Sequence, residues 1–326
     1  MKNIALIYMG GTFGCVGEPL SPMPEQEFFP RLQRYLPKHV NIQCFSAPVV
    51  KDSSAYTASD WLALVQFIQQ LKTQFQHFVV IHGTDTMSYA SAVLARFLGQ
   101  SATVIITGSQ FPLLNIEGTA IREFTDAKDN LWFALEQVTE VTTGVYLAFH
   151  QQLFYGRTAL KVHTTDLDAF KGTASEQKPA KYIVETAIEV DNHLIEKSKQ
   201  FNIISWMMQP IALNQLEANF DHLLKNPPSF LVLQGFGTGN LVINDHLIAQ
   251  IKQLLDLNCL PILSTQVSFG GIDQRYAVSA WVKDAQIVVT DTLGHADLYA
   301  KALQLFLQYD NAKQWFRHWS TNAAQG

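Results

Sequence analysis

Four clusters in this 326-residue chain combine residue types that could carry nucleophilic chemistry. The first is Gly10-Gly11-Thr12, directly after the apolar run 4–9. Two adjacent glycines let the backbone turn sharply and let a ligand approach its N–H groups. A Thr presented there could attack a carbonyl, but its hydroxyl is a poor nucleophile at neutral pH. It needs a base nearby and donors for the developing oxyanion. Taken alone, the same residues also make a tight or anion-binding turn. The second cluster is His82-Gly83-Thr84-Asp85-Thr86-Met87, after the run 77–81. A Thr and an Asp before a helix commonly mean an N-cap. Here two hydroxyls flank one carboxylate, and the helix N-terminus adds the positive end of its dipole. Asp85 could hold a substrate ammonium and orient a hydroxyl at once. The third is Lys161, in Tyr155-Gly156-Arg157-Thr158-Ala159-Leu160-Lys161. An arbitrary Lys is a solvated surface residue, but beside a hydroxyl and a carboxylate its amine can serve as the base of a Thr-Lys-Asp relay. The fourth is Asp52-Ser53-Ser54, which reads either as a turn or cap, or as donors for a substrate carboxylate.

These clusters need a scaffold, and the pattern around them supplies one. Short apolar runs lead repeatedly into Gly-rich or hydroxyl-rich loops: 4–9 into Gly10, 77–81 into His82, 103–106 into Thr107-Gly108-Ser109-Gln110, 230–233 into Gly235, and 261–263 into Ser264-Thr265-Gln266. Continuous apolar strands alternating with helices imply parallel sheets covered on both faces. Their polar loops gather at the carboxyl ends of the strands, where such sheets place ligands. Between them, 58–71 carries a 3.6-residue apolar stripe that Ser59 or Asp60 can cap, 84–98 reads as an Ala-rich helix capped by Thr84 and Asp85, and 298–307 as another helix. The stretch 176–200 is rich in Lys, Glu, Gln and Asn without a period, as expected of a surface excursion and connection. The expected architecture is α/β: a large N-terminal doubly wound, mostly parallel domain (1–185), a linker (186–200), and a smaller C-terminal α/β domain (201–326).

Composition narrows the function classes. Hydrophobic residues at 48% and charged residues at 16% describe an ordinary globular chain. A net charge of −5, without a run of five basic residues, argues against a nucleic-acid surface. The first apolar run is too short for a secretory h-region, and no stretch of about 18 apolar residues suggests a membrane span. Three widely spaced cysteines, Cys15, Cys44 and Cys259, suit a reducing compartment, so a cytoplasmic location is expected. No CxxC or His/Cys cluster suggests a metal, and no cofactor is called for. Gly235-Phe236-Gly237-Thr238-Gly239-Asn240 departs from the dinucleotide spacing and lacks its downstream acid. There is no phosphate-binding P-loop and no GxSxG elbow.

Taken together, the blocks resemble the bacterial L-asparaginase family, and more closely its cytoplasmic type I branch. Gly10-Gly11-Thr12-Phe13-Gly14 is similar to the family's GGTIG, and Asp52-Ser53-Ser54 to its DSS segment. His82-Gly83-Thr84-Asp85-Thr86-Met87 matches HGTDTM outright, and Thr107-Gly108-Ser109-Gln110 matches TGSQ. Arg157-Thr158-Ala159-Leu160-Lys161 with Asp168-Ala169-Phe170 resembles RTTKA…DAF, and Gly237-Thr238-Gly239-Asn240 the second-domain GxGN. The resemblance implies hydrolysis of L-asparagine to L-aspartate and ammonia through an acyl-enzyme on Thr12, with Thr84, Asp85 and Lys161 as a second catalytic group. It implies substrate contacts at Gly11, Asp52, Ser53, Ser54, Gly83, Ser109 and Asn240, with Asp85 on the amino group and Ser53 on the carboxylate. It also implies a homodimer or homotetramer, the site being completed by a neighbour's C-terminal domain.

Three departures stand out. The family's Tyr about ten residues after the first Thr, which helps activate it, is missing from the segment 15–24. Ser21, Glu18 or a residue from elsewhere substitutes for it, or the Thr12 step is altered; losing one acid–base group typically costs roughly 10²–10⁴-fold. The type I allosteric asparagine site uses a Thr and a Cys at positions that here hold Leu160 and Val267. Finally, the Asp-Gly that follows TGSQ corresponds to Asp126-Ala127, beyond a longer segment 113–124 that would reshape the rim of the site. The alternatives are therefore a related amidohydrolase acting on glutamine, D-asparagine or a carrier-bound amide, or a catalytically weak amino-acid-binding relative.

Overall fold

The computed structural model describes residues 3–177, 186–272, 279–290 and 293–321. The chain divides into two compact units, Met1–Lys199 and Gln200–Gly326. The strands of the first unit are β1 (Asn3–Tyr8), β2 (Cys15–Val16), β3 (Ser21–Pro22), β4 (Asn41–Ser46), β5 (His77–Ile81), β6 (Thr103–Thr107), β7 (Gly144–Phe149), β8 (Gln152–Tyr155), β9 (Leu160–Lys161) and β10 (Phe170–Lys171). Its helices are α1 (Glu25–Leu32), α2 (Ala58–Leu71), α3 (Met87–Leu98), α4 (Ala127–Gln137) and α5 (Asn192–Ser198).

Six strands form the main sheet in the order β4-β1-β5-β6-β7-β8. The first five run parallel, and β8 closes the edge antiparallel to β7. Runs such as Thr-Val-Ile-Ile-Thr in β6 are buried along their whole length, because helices cover both faces. The chain leaves β1 toward β4 on one side and returns to β5 on the other. The crevice at this reversal, between the carboxyl ends of β1 and β5, is where an open α/β sheet places its ligand. Gly10-Gly11-Thr12 and His82-Gly83-Thr84 follow those two strands directly.

The second unit is a smaller α/β layer. Its sheet is β11 (Ile203–Met207), β12 (Phe230–Gly235), β13 (Leu260–Thr265) and β14 (Val288–Val289), parallel and in sequence order. Among the described residues its helices are α6 (Leu213–Lys225), α7 (Asp245–Asp256), α8 (Ser279–Asp284), α9 (His295–Gln308) and α10 (Ala312–Thr321). The α/β class with a large parallel sheet is the one the alternating apolar runs predict.

Several local expectations are corrected. Helix α2 is capped by Thr57, whose backbone N–H donates to Asp60 at 2.7 Å, so Asp60 acts from the third helical position. Helix α3 starts at Met87 with Thr86 as N-cap, so Thr84 and Asp85 stand free of the helix in the preceding turn. The first compact unit runs to Lys199. Ile188 N–H donates to Phe97 O at 2.8 Å, Gln69 holds Ile188 O and Val190 N, and Gln66 Nε2 donates to Asn192 at the start of α5. Residues 178–185 of the predicted excursion lie outside the described residues.

Candidate active site

The site is built on backbone contacts that only glycine permits. Gly10 and Gly11 have φ of 92° and 83°, in the left-handed region that other residues avoid. A Cβ on Gly11 would lie 2.4 Å from the Cα of Gly83, and one on Gly83 would lie 2.5 Å from Ser53 Oγ. The turn after β1, the turn after β5 and the Asp52-Ser53-Ser54 loop therefore meet at one point. Three of the residues expected to touch substrate, Gly11, Gly83 and Ser53, sit against one another there. Thr12 opens a single 3-10 turn, Thr12–Gly14, and is half-buried. Its hydroxyl makes no side-chain hydrogen bond among the described residues.

The second group is assembled from distant segments. Lys161 Nζ donates to Thr84 Oγ1 at 2.8 Å and to Asp85 Oδ1 at 3.0 Å. Thr84 is buried, the Lys161 side chain is 19% exposed, and the Asp85 carboxylate is 62% exposed. One end of the cluster is thus enclosed and the other open. The Lys is held by its own hairpin: β9 pairs antiparallel with β10, setting Lys161 opposite Phe170, and Lys161 N–H donates to Ser88 Oγ on α3 at 3.1 Å. The Asp168-Ala169-Phe170 block thus positions Lys161. Gln152 and Lys171 bind the Asp168 carboxylate and hold it below the usual carboxylate range, first through the Lys171 hydrogen bond.

Supporting residues that sequence reading missed lie beneath the glycines. His82 is fully buried, and burial pulls its imidazole down to about 4, so it is neutral at neutral pH. Nδ1 lies 2.7 Å from Gly83 O and donates to it, while Nε2 accepts from Trp61 Nε1 at 3.3 Å. That bond fixes the Gly83–Thr84 peptide plane, and a trans peptide then turns the Thr84 N–H away from the imidazole. The Tyr56 ring packs on His82, with centroids 5.0 Å apart. Its hydroxyl donates to Met9 O and accepts from Lys51 N–H, tying the end of β1 to the loop before Asp52. Such aromatic residues read as core in a sequence, and nothing in their spacing marks them otherwise.

The remaining predicted contacts divide. Asp52 caps the short 3-10 turn Ser53–Ala55 by accepting from Ser54 N–H and Oγ, and these bonds, the side-chain one first, lower its carboxyl pKa. Asp52 and Ser54 therefore satisfy one another, while Ser53 faces Gly83. Thr86 Oγ1 donates to Ser53 O at 2.7 Å and fixes that loop. The Ser109 hydroxyl is enclosed and has no partner among the described residues. Its neighbour Gln110 reaches the site instead: Oε1 stands 3.5 Å from Thr84 Oγ1, and Nε2 donates to Thr164 O and Asp166 O. Asn240 lies in the second unit, in a turn closed by the Phe236–Asn240 bridge. Among the described residues, no group of three or more His, Cys, Asp or Glu could hold a metal ion. No described helix is long and apolar enough to cross a membrane.

The position of the missing Tyr falls on the β2–β3 hairpin. Leu20 there is 50% exposed, and Glu18 and Ser21 are exposed as well. A phenol does lie under this turn from the other side. A Cβ on Gly14 would lie 2.0 Å from the Tyr8 hydroxyl, which is buried, without a partner among the described residues, and raised in pKa chiefly by burial.

Fold and site define a two-unit α/β protein with a Thr-Lys-Asp cluster beside a glycine-borne Thr at the sheet's switch point. The family model "Asparaginase, N-terminal" matches residues 3–196, more than half of the chain. L-asparaginase 1 of Escherichia coli is 26% identical over 335 residues, covering 94% of this chain and 91% of that protein. The 60 kDa lysophospholipase of Mus musculus is 29% identical over 247 residues, covering 73% of this chain; this chain spans only 42% of that longer protein. The solved thermostable L-asparaginase from Thermococcus kodakarensis superposes with a TM-score of 0.78 at 19% identity, covering 97% of this chain and 96% of its own. The chain belongs to the asparaginase family.

Proposed function

We propose that the protein hydrolyses L-asparagine to L-aspartate and ammonia through an acyl-enzyme on Thr12. The observation that carries this reading is the Lys161 side-chain nitrogen, 2.8 Å from the Thr84 hydroxyl and 3.0 Å from the Asp85 carboxylate, beside the turn that presents Thr12. Asp85, with its open carboxylate, holds the substrate ammonium, and the Ser53 loop holds the substrate carboxylate. Thr12 Oγ attacks the side-chain amide carbon, and backbone N–H groups of the glycine turns stabilise the oxyanion. The C–N bond breaks as the amide nitrogen takes up the hydroxyl proton and leaves as ammonia. Water then attacks the ester carbon. The Thr84-Lys161 pair takes the water proton and returns it to Thr12 Oγ as aspartate departs.

The same reading carries a cytoplasmic homodimer or homotetramer with a small-molecule substrate. The segment 113–124 at the rim favours, as a second reading, a different amide: glutamine, D-asparagine or an amide on a larger carrier. The test is ammonia release from asparagine by the wild type and by Thr12→Ala and Thr84→Ala. Both variants lose activity by at least roughly 10³-fold if each hydroxyl acts as stated. Unchanged turnover in either sinks the mechanism, and faster release from one of the other amides selects the second reading.

A further inference from the structure

The segment 113–122 folds as a hairpin that is bonded to the Thr12 turn. Leu114 and Ile121 form an antiparallel bridge, and Arg122 N–H donates to Leu113 O at 3.0 Å. Asn115 closes the tip. Its side-chain Oδ1 accepts from Thr119 N–H at 2.8 Å and Ala120 N–H at 3.1 Å, while its own N–H donates to Ala120 O at 2.9 Å.

This hairpin grips the nucleophile's segment at three points. Leu113 N–H donates to Phe13 O at 3.0 Å, one residue after Thr12. Gly17 N–H, at the bend between β2 and β3, donates to Ile116 O at 3.0 Å. Gly118 (φ 69°) packs so closely that a Cβ there would lie 2.6 Å from Met23 Cε. Phe13, Met23, Leu113 and Leu114 share one buried core cluster. The base of the hairpin is equally fixed, since the buried Asp126 carboxylate accepts from Gln110 N–H and Phe111 N–H at 3.0–3.1 Å and from Asn130 Nδ2 at 3.0 Å. Gln110 is the residue that faces Thr84.

We infer that the 113–122 hairpin is the positioning element of the Thr12 turn, and that Asn115 is the positioning residue that keeps the hairpin folded. The inference rests on the reading of Thr12 as nucleophile. Backbone clamps at Phe13 and Gly17 hold the turn whose Gly11 packs on Gly83. Among the described residues the Asn115 side chain bonds only to Thr119 and Ala120, within the hairpin, so its effect on chemistry passes through the clamp.

The experiment compares Asn115→Ala with Asn115→Asp, which keeps an acceptor for both N–H groups. Rapid quench separates the two half-reactions, because ammonia leaves on acylation and aspartate on deacylation. Asn115→Ala slows acylation by about 10-fold or more, as a small misplacement of a reacting group does, and leaves deacylation within a factor of two; Asn115→Asp restores acylation. Hydrogen exchange of residues 13–17 quickens in Asn115→Ala and returns to wild-type protection in Asn115→Asp. Wild-type acylation together with wild-type protection in Asn115→Ala overturns the inference. A wild-type protein that releases no ammonia from asparagine overturns the functional reading instead, and the exchange measurement still decides whether the clamp exists.

Discussion

His82 gives the sharpest quantitative expectation. The imidazole is buried, donates to Gly83 O from Nδ1 and accepts from Trp61 at Nε2. Protonation would place a second N–H against the Trp61 donor. Burial lowers the folded value to about 4, against 6.5 for a free imidazole. Because the folded value is the lower one, the unfolded chain binds the proton first. Stability is therefore complete above pH ~6.5, declines as the pH falls toward 4, and declines no further below that. Linkage puts the loss between pH 7.5 and pH 5 at about 2 kcal/mol. Other groups titrate in the same window, so the informative quantity is a difference between proteins. His82→Gln keeps an amide donor for Gly83 and an acceptor for Trp61 but carries no titrating group. Urea unfolding of both proteins at pH 7.5 and 5 should show the wild type losing about 2 kcal/mol more than the variant. Parallel losses would refute a neutral, buried imidazole and with it this account of how the Gly83–Thr84 peptide is held.

Two further outcomes follow from the same contacts. Gly11→Ala places a methyl 2.4 Å from Gly83 Cα at a φ of 83°, so the two turns must separate; steady-state kinetics should show kcat/KM falling by about 10²-fold or more, as for a displaced reacting group. Thr86→Val removes the 2.7 Å bond to Ser53 O, worth about 1 kcal/mol; the KM for asparagine should rise about five-fold with kcat little changed, and an equal fall in kcat would place the Ser53 loop in the chemistry rather than in binding.

How much of this was legible in the sequence depends on what each feature rests upon. The parallel sheet was readable because buried stretches such as 78–81 and 104–106 leave continuous apolar runs. The turn motifs were readable because Gly10, Gly11 and Gly83 are required by backbone approach, and such requirements leave glycines at strand ends. The meeting of Lys161 with Thr84 across 77 positions came only through resemblance, since no local pattern distinguishes Lys161 from a solvated lysine. Thr84 and Asp85 looked like caps, because a hydroxyl and a carboxylate before a helix serve either purpose; the start of α3 at Met87 releases them. Nothing in the sequence marks Gln110 as the side chain turned toward Thr84. The length of the 113–124 segment was visible as an insertion at the rim. Its grip on Phe13 and Gly17 was not, because backbone hydrogen bonds between loops leave no trace in residue type.

The central claim is that Thr12 carries the acyl group and that Thr84 and Lys161 release it. Mass spectrometry of the protein mixed with asparagine and quenched at low pH tests this directly, with the wild type and Lys161→Met measured side by side. The account predicts an aspartyl ester on the peptide containing Thr12, sparse in the wild type and accumulating in Lys161→Met. An adduct on Thr84 instead, or continued turnover with no adduct on Thr12 in either protein, would contradict it.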